Sequence, residues 1–376
     1  MKATFPHLGT AHLALATLLA DLGLEPVVPP RTGRRTIALG VKHAPEFACF
    51  PLKVNIGNYL EAFAAGAEII LMVGGVGPCR LGYYAQVERE ILRGLGYDFE
   101  MIVLEPPQGH WRDFWRAVRR VVPRRSAAGI ASALFFAYRK LSAIDELERL
   151  VNRVRPRELR PGETSRVWEE CQAELGPCTE MAGLERALRR CRERLAAVTL
   201  AEGRNLLRIG LSGEIYMVLE PAVNFGLERL LGERGVEVDR HIYLSDWLAE
   251  QLRRSLFLDR SRSVVRALAR PYLGHPVGGH GLESVAQAVE AGVNRLDGMI
   301  HLAPFTCMPE IVAQSVLPRV GRELDLPIMS LSLDEHSAEA GILTRIEAFL
   351  DLAARRRGRV VPTLGGLSVD GVFSRG

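Results

Sequence analysis

The feature that most constrains the fold is an alternation of short apolar runs with helical patterns, which occurs twice along the chain. In the first part the apolar runs are TIALG (36–40), EIILMV (68–73) and MIVLE (101–105), and NYLEAFAAG and GYYAQVEREILRGLGY between them have helical periodicity. Such runs are typical of buried parallel strands in an α/β unit. Gly66 and Gly96 stand where helix C-terminal caps are expected.

The same alternation returns after a long helical stretch. LRIGL, GVEVDRHIYL, GMIHL and LPIMSLSL are predicted strands, and PAVNFGLERLLGERG, GLESVAQAVEAG, CMPEIVAQSVLPRVGRE and GILTRIEAFLDLAARRRG are predicted helices. The intervening residues are rich in arginine and glutamate and show helical periodicity with few strand signals. The sequence therefore predicts an α/β protein with an N-terminal parallel-sheet domain (1–109), a helical connector or insertion (110–205) and a C-terminal parallel-sheet domain (206–376).

Composition excludes several classes of protein. The 376 residues are 48% hydrophobic and 24% charged, which is ordinary for a globular protein and enough for two or three domains. The net charge of +4 comes almost entirely from arginines interspersed with acids, which favours compositional bias over a nucleic-acid-binding surface. The segment HWRDFWRAVRRVVPRR (110–125) leaves two interpretations open, an amphipathic helix with a solvated arginine face or a docking surface.

Nothing in the sequence predicts membrane insertion or secretion. The apolar N-terminal stretch AHLALATLLADLGLEP is interrupted by Asp21 and Glu25, and no other segment approaches the length of a membrane span. Six cysteines at irregular spacing, without a secretion signal, argue against a disulfide framework. We expect a cytoplasmic protein.

Three cysteines lie in loops marked by glycine or proline. Cys49 occurs in EFACFPLK, shortly before a predicted helix, Cys79 in GGVGPCRLGYY and Cys307 in PFTCMPE. Cys79 and Cys307 each follow a predicted strand, and open α/β sheets bind ligands beyond the carboxyl ends of their strands. We therefore expect three loops from two domains to converge on one cleft.

Three thiolates with an open fourth position fit either a [4Fe–4S] cluster with one reactive iron or a zinc ion with one bound water. The spacing does not decide between these sites and ordinary buried cysteines, because no CxxC pair occurs. The other three cysteines, Cys171, Cys178 and Cys191, fall on helical patterns in the connector and are predicted to be structural.

A series of motifs then carries a family resemblance. TFPHLG, CFPLK, GGVGPCRLGYYAQVEREIL, GEIYMVLEPAVN, PFTCMPE and LDEHSAEAGILTRIEAF occur in this order from residue 4 to about residue 350. Together they resemble the 2-hydroxyacyl-CoA dehydratase superfamily, in particular the branch described as CoA-protein-activase-like or acyl-CoA-dehydratase-activase-related. That branch is akin to the B component of 2-hydroxyglutaryl-CoA dehydratase and to the double-cubane cluster proteins.

The resemblance implies flavodoxin-like domains with a [4Fe–4S] cluster held between them by Cys49, Cys79 and Cys307. It implies electron delivery from a separate ATP-hydrolysing activase, a homo- or heterodimer with a related subunit, and an acyl-CoA or other small substrate. The chain has no Walker A sequence, so ATP chemistry is assigned to the partner. A double-cubane cluster would need a second set of three cysteines, from the connector or another chain.

Further site residues follow from their positions. Arg80 and Lys53, close to cysteines in the sequence, are predicted to stabilise a reduced cluster, with surface ion pairs as the alternative. Glu214 and Tyr216 follow the strand LRIGL, where cleft roles compete with a helix-capping acid and a core tyrosine. His336, in SLDEHSAEAG, is a candidate proton donor or acceptor.

Cys307 is predicted to open a helix between Pro304 and Pro309. The partial positive charge and free N–H groups of a helix N-terminus would lower the pKa of its thiol and favour the thiolate that binds iron. Two hypotheses remain: an iron–sulfur subunit for reduction or dehydration of a small substrate, and a zinc-bound or metal-free scaffold that binds or regulates a dehydratase. Whether the chain is itself catalytic is left open.

Overall fold

The computed structural model describes residues 1–73, 81–104, 125–203, 206–255 and 261–357, and positions 112, 115, 116, 118, 119 and 122. Two of the predicted site residues, Cys79 and Arg80, lie outside these residues. Most of the arginine-rich segment 110–125 also lies outside them.

A parallel four-stranded sheet forms from the first hundred residues, in the order β2-β1-β3-β4. Its strands are β1 (Lys2–Thr4), β2 (Glu25–Pro26), β3 (Ile69–Val73) and β4 (Glu100–Leu104), and its helices are α1 (His12–Asp21), α2 (Arg34–His43), α3 (Phe50–Ala64) and α4 (Leu81–Gly94). We call these elements the N-terminal unit.

A second parallel four-stranded sheet has the equivalent order, β6-β5-β7-β8. Its strands are β5 (Leu207–Gly213), β6 (Val236–Arg240), β7 (Gly298–Pro304) and β8 (Ile328–Leu333). Its helices are α8 (Ile215–Leu219), α9 (Leu227–Glu233), α10 (Leu244–Ser255), α11 (Ser261–Ala269), α12 (Gly281–Val293), α13 (Met308–Glu323) and α14 (Glu339–Arg357). These elements form the C-terminal unit, and the α/β prediction with parallel sheets is confirmed.

Between the two sheets in the sequence, residues 125–203 form the helices α5 (Ala127–Val154), α6 (Glu163–Leu175) and α7 (Met181–Ala196). They share an apolar core that includes Cys171 and Cys191. Lys140 on α5 is buried, and its Nζ donates hydrogen bonds to Thr17 Oγ1 on α1 and to the Gly176 carbonyl, each at 2.7 Å. This lysine therefore joins the helical segment to the N-terminal unit. The exact domain boundaries stay predictions.

One predicted strand is wrong. TIALG (36–40) lies inside α2, and the first two strands of the sheet are the short segments β1 and β2, which were not predicted. The reason is a close helix pair: an added Cβ at Gly40 would overlap the Lys53 carbonyl of α3, and one at Gly57 would overlap the Thr36 carbonyl of α2. Tertiary packing of two helices overrides the β-propensity of a short apolar run.

The other predicted strands are present. The run EIILMV contains β3, MIVLE overlaps β4, and the four C-terminal runs contain or overlap β5 to β8. Gly66 and Gly96 have positive φ angles of 90° and 87° directly after α3 and α4, as expected for helix caps. No helix in the described part of the chain has both the length and the apolar character needed to cross a membrane.

Candidate functional site

Two cysteines occupy equivalent positions at helix N-termini, one in each unit. Cys49 is the N-cap of α3 and Cys307 is the N-cap of α13, and each is followed at the second helical position by proline. Proline is suited to the first turn because its missing N–H has no partner there. Each thiol thus stands beside the free N–H groups of a helix N-terminus.

The loops that carry the two thiols meet. Thr306 Oγ1 donates to the Phe47 carbonyl at 3.4 Å, and Cys49 lies close enough to raise the pKa of the Cys307 thiol electrostatically. Both cysteines are buried, with 7% and 9% of their surfaces exposed. Cys49 Sγ also contacts the Tyr84 hydroxyl on α4. The structure therefore brings together two of the three predicted ligands, from opposite units.

The described residues alone do not complete a metal site. They contain no group of three or more histidine, cysteine, aspartate or glutamate side chains arranged to hold a metal ion. Cys79, the third predicted ligand, follows β3 in the sequence and lies two positions before the start of α4, but it is outside the described residues.

Burial changes the pKa of the Cys307 thiol more than the helix N-terminus does. Burial raises the pKa of its thiol, and the nearby Glu214 and Glu310 carboxyls raise it further. The Glu310 backbone N–H donates to the thiol and lowers its pKa, as predicted, but by less than burial raises it. The prediction of a lowered pKa for Cys307 is therefore wrong for the protein without a bound cation, whose charge would favour the thiolate.

Glu214 lies where the C-terminal sheet reverses its strand order, between β5 and β7. Gly213, with φ of 133°, lets the chain pass so close to β7 that an added Cβ would overlap the Leu302 carbonyl. The Glu214 N–H donates to that carbonyl at 2.9 Å, and its carboxylate accepts from the Met217 N–H at 3.0 Å, capping α8. Burial raises the pKa of Glu214. Glu214 therefore has the alternative, capping role and also faces the cysteine site.

Beneath Cys307 is a buried polar group that the sequence analysis missed. Glu310 Oε2 accepts from Ser284 Oγ at 2.8 Å and lies 2.8 Å from His301 Nε2. All three side chains are fully buried. The sequence could have indicated this group through Glu310, which is the acid of PFTCMPE and lies in the first turn of a helix. His301 gave no signal because it sits within the apolar strand β7.

Lys53 is paired across the two units. Its Nζ forms a buried ion pair with Glu335, in the loop after β8, and donates to the Glu46 carbonyl at 3.0 Å. The predicted cation near Cys49 is therefore balanced by a carboxylate from the opposite unit. This ion pair holds α3, whose N-cap is Cys49, against the loop after β8.

His336 is next to this ion pair and is exposed to solvent. Its side chain is 84% exposed, and its Nε2 lies 3.9 Å from Glu335 Oε1. Its backbone N–H donates to Asp334 Oδ1 at 3.0 Å within a turn. The contact between units is thus made by Glu335, which the sequence analysis did not single out.

Tyr216 lies between the units, buried among groups of both. Its neighbours include Glu214 and Glu220 of its own unit and Glu88 of the N-terminal unit. Burial is the largest cause that raises the pKa of its hydroxyl. The predicted core location is correct, and a cleft role for the hydroxyl stays a prediction.

The motifs TFPHLG and EPAVN also meet between the units. His7 Nδ1 lies 3.0 Å from Glu220 Oε2, which accepts from the Gly9 N–H at 2.7 Å. The His7 N–H donates to Asn58 Oδ1 on α3 at 2.8 Å. These two motifs of the resemblance thus serve one buried contact between the ends of β1 and α8.

The connector cysteines lie elsewhere. Cys171 on α6 and Cys191 on α7 are fully buried and hydrogen-bonded to each other in the apolar core of the helical segment, and Cys178 packs against that core. This environment agrees with the predicted structural role.

Comparison with known proteins adds no family assignment. The chain matches no protein-family model and no curated protein sequence.

Proposed function

We propose that this chain is an iron–sulfur redox protein that holds a [4Fe–4S] cluster between its two units with Cys49, Cys79 and Cys307. The cluster would store a low-potential electron that an ATP-hydrolysing activase delivers. This electron would serve the reduction or dehydration of an acyl-CoA or other small substrate. The proposal joins the family resemblance to the geometry of the two described cysteines.

The single observation that carries the proposal is the meeting of Cys49 and Cys307, residues that are 258 positions apart and belong to different units. Each is preceded by a loop and followed by a helix, so both thiols sit beside backbone N–H groups that stabilise negatively charged sulfur. The Glu310 N–H already donates to the Cys307 thiol. These donors fit a cofactor held by thiolates.

The surrounding residues supply positioning. The Lys53–Glu335 ion pair and the Thr306–Phe47 hydrogen bond hold the two cysteine-bearing loops together. Glu214 directly follows β5, at the point where α/β sheets bind ligands, and we propose that it and Tyr216 face the substrate side of the site. His336, on the exposed side of the loop after β8, would contact a substrate or partner that approaches from solvent.

The proposal is tested by anaerobic purification with iron and sulfide analysis. We expect about four iron and four sulfide per chain and visible absorption near ~400 nm. Cys307→Ala should remove most of the iron and increase proteolysis between the units, whereas Cys191→Ser, a matched change in the helical core, should leave iron unchanged.

One outcome would overturn the proposal, and another would change the number of clusters. One zinc per chain, or no metal, would favour a zinc-bound or metal-free scaffold that binds or regulates a dehydratase. Loss of about half the iron in Cys191→Ser would instead indicate a second cluster with ligands from the helical segment.

A further inference from the structure

A buried acid lies between the units, apart from the cysteines, and no cation of the described residues is paired with it. Glu88 on α4 is fully buried, and its carboxylate accepts from Asn55 Nδ2 on α3 at 3.3 Å. The Tyr59 hydroxyl on α3 and the Tyr216 hydroxyl on α8 lie beside it without well-aligned hydrogen bonds. We call these four side chains the Glu88 cluster. Three of them are titratable: the carboxyl of Glu88 and the two tyrosine hydroxyls.

Only some of the hydrogen-bonding atoms in the Glu88 cluster have well-placed partners. Among the described residues, Glu88 Oε2, Asn55 Oδ1 and the two tyrosine hydroxyls have no partner in good hydrogen-bond geometry. The Tyr59 hydroxyl is nevertheless close enough to Glu88 to lower the pKa of its carboxyl, and the Tyr216 hydroxyl is close to Thr32. Burying an ionised carboxylate without a cation costs several kcal/mol, so a buried acid in such surroundings keeps its proton. Burial raises the pKa of Glu88 to about 8, while the Asn55 and Tyr59 side chains lower it.

The Glu88 cluster is linked to both cysteines by short routes. On one side, Tyr84 precedes Glu88 by one helical turn on the same buried face of α4 and contacts Cys49 Sγ. On the other side, Tyr216 neighbours Glu214, whose carboxyl in turn influences Cys307. A charge that appears between the two thiols would therefore act on Glu88 through a low-dielectric interior.

We propose that the Glu88 cluster is a buried proton-binding site whose proton uptake is coupled to reduction of the interdomain site; this rests on the proposed function. When Glu88 is ionised, one electron arriving from the activase draws one proton from water onto its carboxylate. Reoxidation returns the electron to substrate or acceptor and releases the proton. At a pH high enough to ionise Glu88, the cluster thereby keeps the net charge of the interior unchanged on reduction.

The first experiment tests the proton itself and needs no iron. Infrared difference spectra of the full chain should show the carbonyl band of a protonated carboxylic acid at about pH 7, which disappears above about pH 8. Glu88→Gln should remove this band. Glu90→Gln, the same change at an exposed position of α4, should retain it. Tyr59→Phe removes a group that favours ionisation, so the band should persist to higher pH.

The second experiment tests the coupling by potentiometric titration of the iron-loaded protein. The midpoint potential should be flat below about pH 8 and fall by ~59 mV per tenfold decrease in proton concentration above it. Glu88→Gln should abolish the slope, and Glu90→Gln should keep it. Tyr59→Phe should move the break upward with the infrared transition.

Each result has a distinct meaning. Absence of the carboxylic acid band from the wild-type protein at about pH 7 overturns the proton-binding site. A band that is present with a potential slope unchanged in Glu88→Gln overturns the coupling. A chain that binds no iron overturns the coupling together with the proposed function, and the infrared result then decides the proton-binding site alone.

Discussion

The two units use the same sheet order but build their halves of the site differently. In the C-terminal unit, Cys307 and Glu214 come directly from the ends of the adjacent strands β7 and β5. In the N-terminal unit, Cys49 comes from a helix pair, α2 and α3, inserted between β2 and β3. The C-terminal half thus depends on strand register, and the N-terminal half on how closely two helices pack.

The chemical surroundings of the two thiols differ in the same way. Carboxyls of Glu214 and Glu310 face Cys307, whereas Cys49 contacts the Tyr84 hydroxyl and lies one helical turn before Lys53. The negative side of the site therefore belongs to the C-terminal unit and the cation to the N-terminal unit. The Lys53–Glu335 pair joins the two sides.

The largest effect should come from the α2–α3 contact. Gly40→Ala places a Cβ against the Lys53 carbonyl, and a backbone atom cannot yield without separating the helices. We expect a loss of about 3 kcal/mol or more in the free energy of unfolding, measured by chemical denaturation. Gly183→Ala on α7, where an added Cβ meets open space, should instead stabilise by up to ~1 kcal/mol. Equal effects at both positions would contradict the helix-pair account.

The next effect concerns the ion pair between the units. Lys53→Met leaves the Glu335 carboxylate, only 12% exposed, without its partner, which should cost about 3 kcal/mol. It should also speed the reaction of Cys49 and Cys307 with a thiol reagent, because the loops separate. Arg166→Met, in an exposed ion pair on α6, should cost less than ~0.5 kcal/mol and leave thiol reactivity unchanged.

The third prediction compares the pH dependence of stability with and without Glu88. Because its pKa rises from 4.5 to about 8 on folding, the unfolded chain releases this proton first, and stability falls as pH increases through that window. The loss approaches ~1.4 kcal/mol per pH unit and reaches up to ~3 kcal/mol by about pH 7.

Glu88→Gln should remove this loss, so that the variant is more stable than the wild type at neutral pH and equally stable below about pH 4. Denaturant unfolding at several pH values measures this difference in the free energy of unfolding between the variant and the wild type. Stabilities of the wild type and the variant that change equally with pH between about 4 and 8 would contradict a raised pKa of Glu88.

Sequence alone predicted most of the strands, because fully buried parallel strands are continuous apolar runs such as EIILMV. It failed at TIALG, where the deciding feature is contact of Gly40 with a helix that begins ten residues later. It also missed β1, whose three residues are too short for a periodic signal.

Within the candidate site, the residues that can be predicted from the sequence are those with a recognisable motif around them. Cys49 and Cys307 could be found because prolines mark helix starts beside them. Glu88 could not, because an acid on an amphipathic helix normally faces solvent. Only the three-dimensional structure shows that Glu88 is fully buried, with no cation of the described residues paired with it.

The smallest effect separates the neighbours Glu335 and His336. The His336 side chain is 84% exposed and its ring lies 3.9 Å from Glu335 Oε1, so His336→Ala removes little packing. We expect a change in unfolding free energy within ~0.5 kcal/mol, unchanged iron content and unchanged thiol reactivity. Glu335→Gln should lower stability and increase thiol reactivity, because buried Lys53 loses its counter-charge. If His336→Ala loosens the thiols as much as Glu335→Gln does, the histidine takes part in joining the units, and the assignment of that contact to the carboxylate alone is wrong.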